Sequence, residues 1–300
     1  MQPHASPTGA ERDAELDVLY RAPAPLPSAC TLFADAGWRF IERVGTGGSS
    51  DVWHALDPRG RPVALKIPRA ALRPEDARAR LACEYELLAN VRHAHIVATF
   101  GLVERSGVCA LALEYLPGGD LVALAGAHPR HWLPAARELH AVLEHLHARG
   151  YAHRDVKARN VLFDARGGAR LIDFASALPI GAHAPSGGTT SAHRRDGLIA
   201  TVTAADDAYA FAVLLYELLA GRLPYGPGGR AAVPARASAS APPWPLAGRR
   251  HTGAAVKALV DRVLAVLEAD GSRGPGLSVF ADVLESAAAA CALPPRSDRP

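Results

Sequence analysis

Residues 153–174, reading HRDVKARNVLFDARGGARLIDF, hold the side chains with the clearest chemical capacity in the chain. A polar triplet, His153-Arg154-Asp155, is followed by Lys157 and Asn160. Then come an apolar triplet (Val161, Leu162, Phe163), a turn-rich segment from Asp164 to Gly168, and the apolar pair Leu171-Ile172 ahead of Asp173-Phe174. Two short apolar runs around a Gly-containing turn predict a β-hairpin. An antiparallel hairpin brings its ends together, so Asn160 and Asp173 should lie side by side. A carboxylate and an amide oxygen are hard ligands of the kind that suit Mg²⁺. Asp155 stands a few residues outside that pair, placed to take a proton from an incoming hydroxyl.

These motifs resemble the catalytic loop and metal-binding motif of eukaryotic-type (Hanks-type) Ser/Thr protein kinases: His153-Arg154-Asp155-Val156-Lys157-x-x-Asn160, then Asp173-Phe174. The resemblance runs over roughly residues 38 to 290 and fits a soluble bacterial member. It implies an α+β, bilobal fold with a small antiparallel-sheet lobe carrying one helix and a larger, mainly helical lobe. It also implies ATP and Mg²⁺ as cofactors and a protein substrate with a Ser/Thr acceptor. In that reading Asp155 orients and deprotonates the acceptor, Lys157 steadies the γ-phosphate, and Asn160 and Asp173 hold the metal.

Other elements must place these groups. Strands are expected at Phe40-Ile41 and Val44, at 52–55 and at 62–67, with a turn at Asp57-Pro58-Arg59-Gly60. Between the first two lies Gly45-Thr46-Gly47-Gly48-Ser49-Ser50, whose backbone amides can approach phosphate closely because no Cβ intervenes. Ser50 stands where the family has its third Gly. No helix follows directly, which argues against Rossmann or Walker-type sites. Lys66 ends Val63-Ala64-Leu65-Lys66, similar to the family's third-strand lysine, and a buried ammonium needs a counter-charge. The predicted helix 75–91 supplies one. Leu81, Glu84, Leu88 and Val91 share a face, whereas Glu86 points about 200° away. An unpaired carboxylate on a packed face is unfavourable, so Glu84 is paired with Lys66.

By resemblance, Tyr115-Leu116-Pro117-Gly118-Gly119-Asp120-Leu121 is the hinge between lobes and Leu113 the gatekeeper. The backbones of Glu114 and Leu116 would bond adenine, with Val52, Ala64 and Leu162 around the purine. Asp120 would face the ribose or, alternatively, cap the next helix. A helix is expected at 134–149, stopped by Gly150. Its histidines His140, His145 and His147, like His93 and His95, read as packing or turn residues. Asp207 is either the N-cap of the apolar helix that follows or, in the family reading, the residue holding the catalytic loop from below.

Two departures from the family stand downstream. Ala175 replaces the usual Gly after Phe174, and Arg194-Arg195-Asp196 replaces Ala-Pro-Glu. By resemblance, Thr189 matches the substrate-docking Thr, Ser186, Thr190 and Ser191 are phosphosite candidates, and Asp196 is expected to pair with Arg273 in place of the family's Glu–Arg bridge. The departures leave a nucleotide-binding scaffold without activity, and a small-molecule kinase of the same fold, as alternatives.

The remaining sequence sets bounds. The chain has 300 residues and a formal net charge of +3 with dispersed basic residues, which gives no call for a nucleic-acid partner. Cys30, Cys83, Cys109 and Cys291 lack metal or redox spacing, consistent with reduced thiols in the cytoplasm. No secretory leader or membrane-spanning stretch is expected, and oligomeric state is left open. The expected organisation is a mobile Pro/Ala-rich arm over 1–37 with a possible helix at 11–20, a small lobe over 38–116, a large lobe over 117–293 and a tail over 294–300. Within the large lobe, a loop is expected at 226–248 and helices at 254–268 and 278–290.

Overall fold

The structure, a computed structural model, describes residues 28–69, 73–183, 201–225, 253–268 and 275–292. Five strands, β1 (Arg39–Thr46), β2 (Ser50–Leu56), β3 (Pro62–Pro68), β4 (Thr99–Arg105) and β5 (Val108–Glu114), form one antiparallel sheet in the order β1-β2-β3-β5-β4. Successive side chains on a strand face opposite ways. On β3, therefore, Val63, Leu65 and Ile67 look to one side and Ala64 and Lys66 to the other. Both sides are covered, which is why β3 and β5 are apolar almost throughout.

One cover was expected. Helix α2 (Pro74–Asn90) starts with Pro74 in its first turn and buries Leu81, Glu84, Leu87 and Leu88, while Glu86 is exposed. The other cover corrects the expected arm. Residues 28–37 are not a mobile lead-in, because Ser28–Ala34 forms helix α1, whose Cys30 and Phe33 are buried. Phe33 meets Trp38 edge-on, with ring centroids 6.2 Å apart, and the group packs on Val63, Leu65, Ile67, Ala110 and Ala112. A helix of 7 residues has no stability alone, so packing on the sheet creates it. Burial there also holds the Cys30 thiol up at about 11. The possible helix at 11–20 lies outside the described residues.

The second lobe is built on helix α3 (Pro129–Ala148) and helix α4 (Ala204–Ala220). The sequence placed the start of α3 at Pro134, but it begins at Pro129, with Pro134 inside it. An interior proline forfeits a backbone hydrogen bond. Trp132, Leu133, Ala135 and Ala136, all nearly fully buried, hold that first stretch helical regardless. Gly150 (φ +78°) ends the run and Gly221 (φ +72°) ends α4. The predicted helix 254–268 is α5 (Ala254–Glu268), and a 3-10 turn, Leu277–Phe280, leads into α6 (Ala281–Cys291), which packs on α3 and α5. Among the described residues no helix is long and apolar enough to cross a membrane. The expected loop at 226–248 and the tail at 294–300 lie outside the described residues.

Two short strand pairings lie in the second lobe. Strand β6 (Tyr151–Ala152) pairs with β9 (Leu178–Pro179), and β7 (Val161–Phe163) pairs antiparallel with β8 (Ala169–Leu171), which is the predicted hairpin. Asp164 shapes its turn, accepting from the backbones of Arg166 (2.8 Å) and Gly168 (2.9 Å). Gly167 adopts φ +82° there.

Candidate active site

Lys66 and Glu84 meet because two periodicities agree. β3 turns Lys66 toward α2, and the helical repeat turns Glu84 toward β3. Lys66 Nζ donates to both Glu84 oxygens at 2.8 Å and to Asp173 Oδ1 at 2.9 Å. Glu84 is 3% exposed and Lys66 8%. Burial alone would lower the Lys66 pKa, but the charges of Glu84 and Asp173 outweigh it and hold the ammonium above its ordinary value. Burial would likewise raise Asp173, yet Lys66 keeps that carboxyl below the usual range. The lysine is therefore charged, aligned, and tied to the end of the hairpin.

Asp207 organises the catalytic loop. It is fully buried and accepts from the backbone N–H groups of His153 (Oδ2, 2.8 Å) and Arg154 (Oδ1, 2.7 Å), with His147 Nε2 2.9 Å from Oδ2. The N-cap alternative for Asp207 falls away, because Thr203 caps α4 and its N–H is accepted by Asp206. Arg154 takes φ +66°, uncommon for a side-chain-bearing residue. The two carboxylate bonds flank that conformation. Just beyond it, Asp155 Oδ2 accepts from Lys157 Nζ at 2.7 Å and from Asn160 Nδ2 at 2.9 Å. Asn160 Nδ2 also donates to the Asp155 carbonyl at 2.8 Å. Ile172 N–H donates to the Asn160 carbonyl at 2.9 Å, so the hairpin does close Asn160 onto the residue before Asp173.

His153 had no assigned role from sequence. It is fully buried, accepts from Asp155 N–H at Nδ1 (3.3 Å) and places Nε2 3.2 Å from the Ile172 carbonyl. Phe174 packs against it edge-on at 4.8 Å. The ring thus joins the catalytic loop to the Asp173-Phe174 motif. The available signal was the pair of motifs itself, an imidazole two residues before Asp155 and an aromatic after Asp173. Burial pushes the His153 pKa down. A base with a folded pKa below its unfolded value of ~6.5 binds its proton first in the unfolded chain. Its neutral form supports the fold above that pH, and stability falls as pH drops through and below it. Urea unfolding at pH 7.5 and 5.5 is expected to show a shallower pH slope for His153→Gln than for the native chain. Equal slopes would mean that His153 does not contribute.

The sheet residues expected near phosphate and purine share one face of the sheet. Cross-strand partners share a face, and Val52 pairs with Lys66, His54 with Ala64, and Ala64 with Leu113. Gly45 lies opposite Val52, and Gly47 N–H donates to the Ser50 carbonyl at 2.8 Å. A Cβ at Gly47 would come within 3.2 Å of that oxygen, whereas Gly48 opens to free space. Ser50 is buried at the start of β2. Below, Gly118 N–H donates to Phe163 O at 2.9 Å and Gly119 O accepts from Phe163 N–H at 3.0 Å, which fastens the hinge to β7 beside Leu162. A side chain at Gly118 would collide with Phe163 at 2.6 Å. The Glu114 N–H is taken by Ala98 O at 2.8 Å, and Leu116 is buried. Asp120 opens the 3-10 turn Leu121–Leu124 without a side-chain cap bond.

Asp173 and Asn160 are oxygen donors at the two ends of one hairpin, and the Asp173 side chain remains 41% exposed beside the buried Lys66. That donor chemistry fits Mg²⁺, which uses one or two carboxylates and fills its remaining positions from phosphates and water. Among the described residues no group of three or more His, Cys, Asp or Glu suits a metal held by protein alone. Ala175 lies in the 3-10 turn Phe174–Ser176. Ser186, Thr189, Thr190, Ser191, Asp196 and Arg273 lie outside the described residues.

A sheet-and-helix lobe over a helical lobe, with Lys66, Glu84, Asp155, Asn160 and Asp173 gathered between, defines a class. The chain belongs to the protein kinase family: the model of the protein kinase domain matches residues 38–239. Among curated relatives it is 31% identical over 276 residues to the serine/threonine-protein kinase pkn2 of Myxococcus xanthus, covering 86% of this chain and 33% of the relative. It is also 31% identical over 207 residues to the maternal embryonic leucine zipper kinase of Danio rerio (63% of this chain, 29% of the relative). With an L-type lectin-domain receptor kinase of Arabidopsis thaliana, identity is 31% over 212 residues (65% of this chain, 31% of the relative). The chain thus spans about a third of the length of these relatives.

Proposed function

We propose that the chain transfers the γ-phosphoryl group of ATP to Ser/Thr hydroxyls of proteins. The observation that carries this reading is the bond of Lys66 to both Glu84 and Asp173, residues from β3, α2 and the hairpin end. Glu84 fixes the position of the ammonium, which would meet phosphate oxygens by giving up its bond to Asp173. Phosphoryl transfer asks chiefly for alignment and charge neutralisation. Lys66 would hold the α/β-phosphates, the amides around Gly47 and Gly48 would cover them, and the hinge backbone at Glu114 and Leu116 would take the purine. Mg²⁺ held by Asp173 and Asn160 would offset negative charge on the phosphates. Asp155 accepts the hydroxyl proton as the new O–P bond forms and the bond to ADP breaks. Lys157, now on Asp155 Oδ2 at 2.7 Å, would turn from it to steady the γ-phosphate. The preference for Ser/Thr over Tyr is supported by the family resemblance at Lys157 and by the similarity to the serine/threonine-protein kinase pkn2 of Myxococcus xanthus.

The test is incubation of the full chain with labelled ATP, Mg²⁺ and a generic Ser/Thr protein substrate, followed by site mapping. Label on Ser or Thr, dependent on Mg²⁺, is expected. Adenine-nucleotide binding without any transfer would replace this reading with that of a scaffold.

A further inference from the structure

The hinge contains a contact that the reaction scheme does not use. The backbone is fixed on either side of it, by Glu114 N–H on Ala98 O and by Gly118 N–H on Phe163 O. Between those points lie Tyr115 and Leu116, just past the end of β5. The Tyr115 side chain is held by an aromatic stack. The His54 ring lies parallel to it, with centroids 3.6 Å apart and an interplanar angle of 2°. His54 reaches this position from the roof. It sits two residues after Val52 on β2, hence on the same face, and opposite Ala64. Its side chain is 15% exposed.

Tyr115 lies between the two residues whose backbones would meet a purine. Rotation about its φ and ψ would swing the peptide groups on both sides, and with them the Glu114 carbonyl and the Leu116 N–H. A side chain clamped face to face limits that rotation. We propose that His54 and Tyr115 form an aromatic clamp between β2 and the hinge that pre-orients the Glu114 and Leu116 backbone for the nucleotide base. The proposal rests on the reading of the cleft given above. His54 and Tyr115 act here as positioning residues: ordering the hinge before the ligand arrives removes an entropic loss from the binding step. Because His54 shares β2 with Ser50 and Val52, the same stack fixes the roof strand above the base.

The experiment measures ATP and ADP affinity of the full chain by calorimetry for the native protein, His54→Leu, His54→Phe, Tyr115→Leu and the double variant His54→Leu/Tyr115→Leu. Each leucine variant is expected to bind about five-fold more weakly, within the range for losing one aromatic pair. His54→Phe, which restores a flat face, should stay within about two-fold of native. The double variant should bind no worse than either single one, since each change removes the same contact. In turnover assays the loss should fall on KM for ATP and not on kcat. Native affinity in His54→Leu, a phenylalanine variant as weak as the leucine one, or full additivity in the double variant would each overturn the clamp. Should His54→Leu prove unstable, the half-exposed Tyr115 supplies the reading alone. A native chain that binds neither ATP nor ADP would remove the reading of the cleft, and the clamp with it.

Discussion

Lys66→Met is expected to lower phosphoryl transfer by about 10²–10³-fold, the scale of losing one charged group aimed at the reacting oxygens. The same change should destabilise the fold. Glu84 would keep its carboxylate in a site only 3% exposed, without the ammonium that now meets both its oxygens at 2.8 Å. Breaking a buried pair from one side is typically worth about 3–5 kcal/mol. Glu84 can escape part of this by taking a proton, because burial already raises its pKa against the pull of Lys66. An acid whose folded pKa is raised above the unfolded value is penalised as pH rises through that value. The destabilisation of Lys66→Met should therefore shrink as the solution is acidified. The double variant Lys66→Met/Glu84→Gln separates the two effects. Glutamine keeps the shape of Glu84 and a side-chain oxygen but carries no charge. Thermal unfolding of the double variant should return most of the way toward native while labelled-phosphate transfer stays as low as in the single one. If transfer recovered together with stability, Lys66 would be a structural residue and its phosphate role would be lost.

This pair was legible in the sequence because each half obeys a local repeat. Period two on β3 and a 3.6-residue repeat on α2 decide which way two side chains point, and burial then forces them together. The hairpin was legible for a similar reason: Asp164 and Gly167 supply the turn chemistry that sets Asn160 near Asp173. Elements whose stability comes from elsewhere in the fold were not legible. Helix α1 exists only because Val63, Leu65 and Ile67 need a cover, and nothing within Ser28–Ala34 announces that. Pro134 argues locally for a helix start, yet Trp132 and its neighbours pack well enough to carry the helix through it. Asp207 lies 54 residues from His153, and it binds main-chain N–H groups that any sequence would present. Resemblance could suggest that role, but periodicity could not separate it from a helix cap. The His54–Tyr115 stack has no sequence signature, since it depends on how a strand and a hinge approach in space.

Asp155→Asn isolates the proton-accepting step from binding. In the native chain Asp155 Oδ2 is the shared acceptor of Lys157 Nζ at 2.7 Å and Asn160 Nδ2 at 2.9 Å. An asparagine can turn its amide oxygen to that same position and keep both donors satisfied, so the loop conformation held by Asp207 has no reason to change. What is lost is a negative charge and an atom able to take a hydroxyl proton near neutral pH. Removing a positioned general base typically lowers the rate by about 10²–10⁴-fold. The expectation is a fall of that size in kcat, with ATP affinity by calorimetry within about two-fold of native. The contrast with Lys66 is informative, because Lys66→Met should disturb how the nucleotide is held as well as the rate. Equal labelling of a Ser/Thr substrate by the native chain and Asp155→Asn would strip Asp155 of its catalytic role. A parallel fall in ATP affinity would place Asp155 with the nucleotide-holding groups. Loss of kcat alone would show that Asp155 acts on the acceptor hydroxyl, the side of the reaction on which a kinase differs from a nucleotide-binding protein.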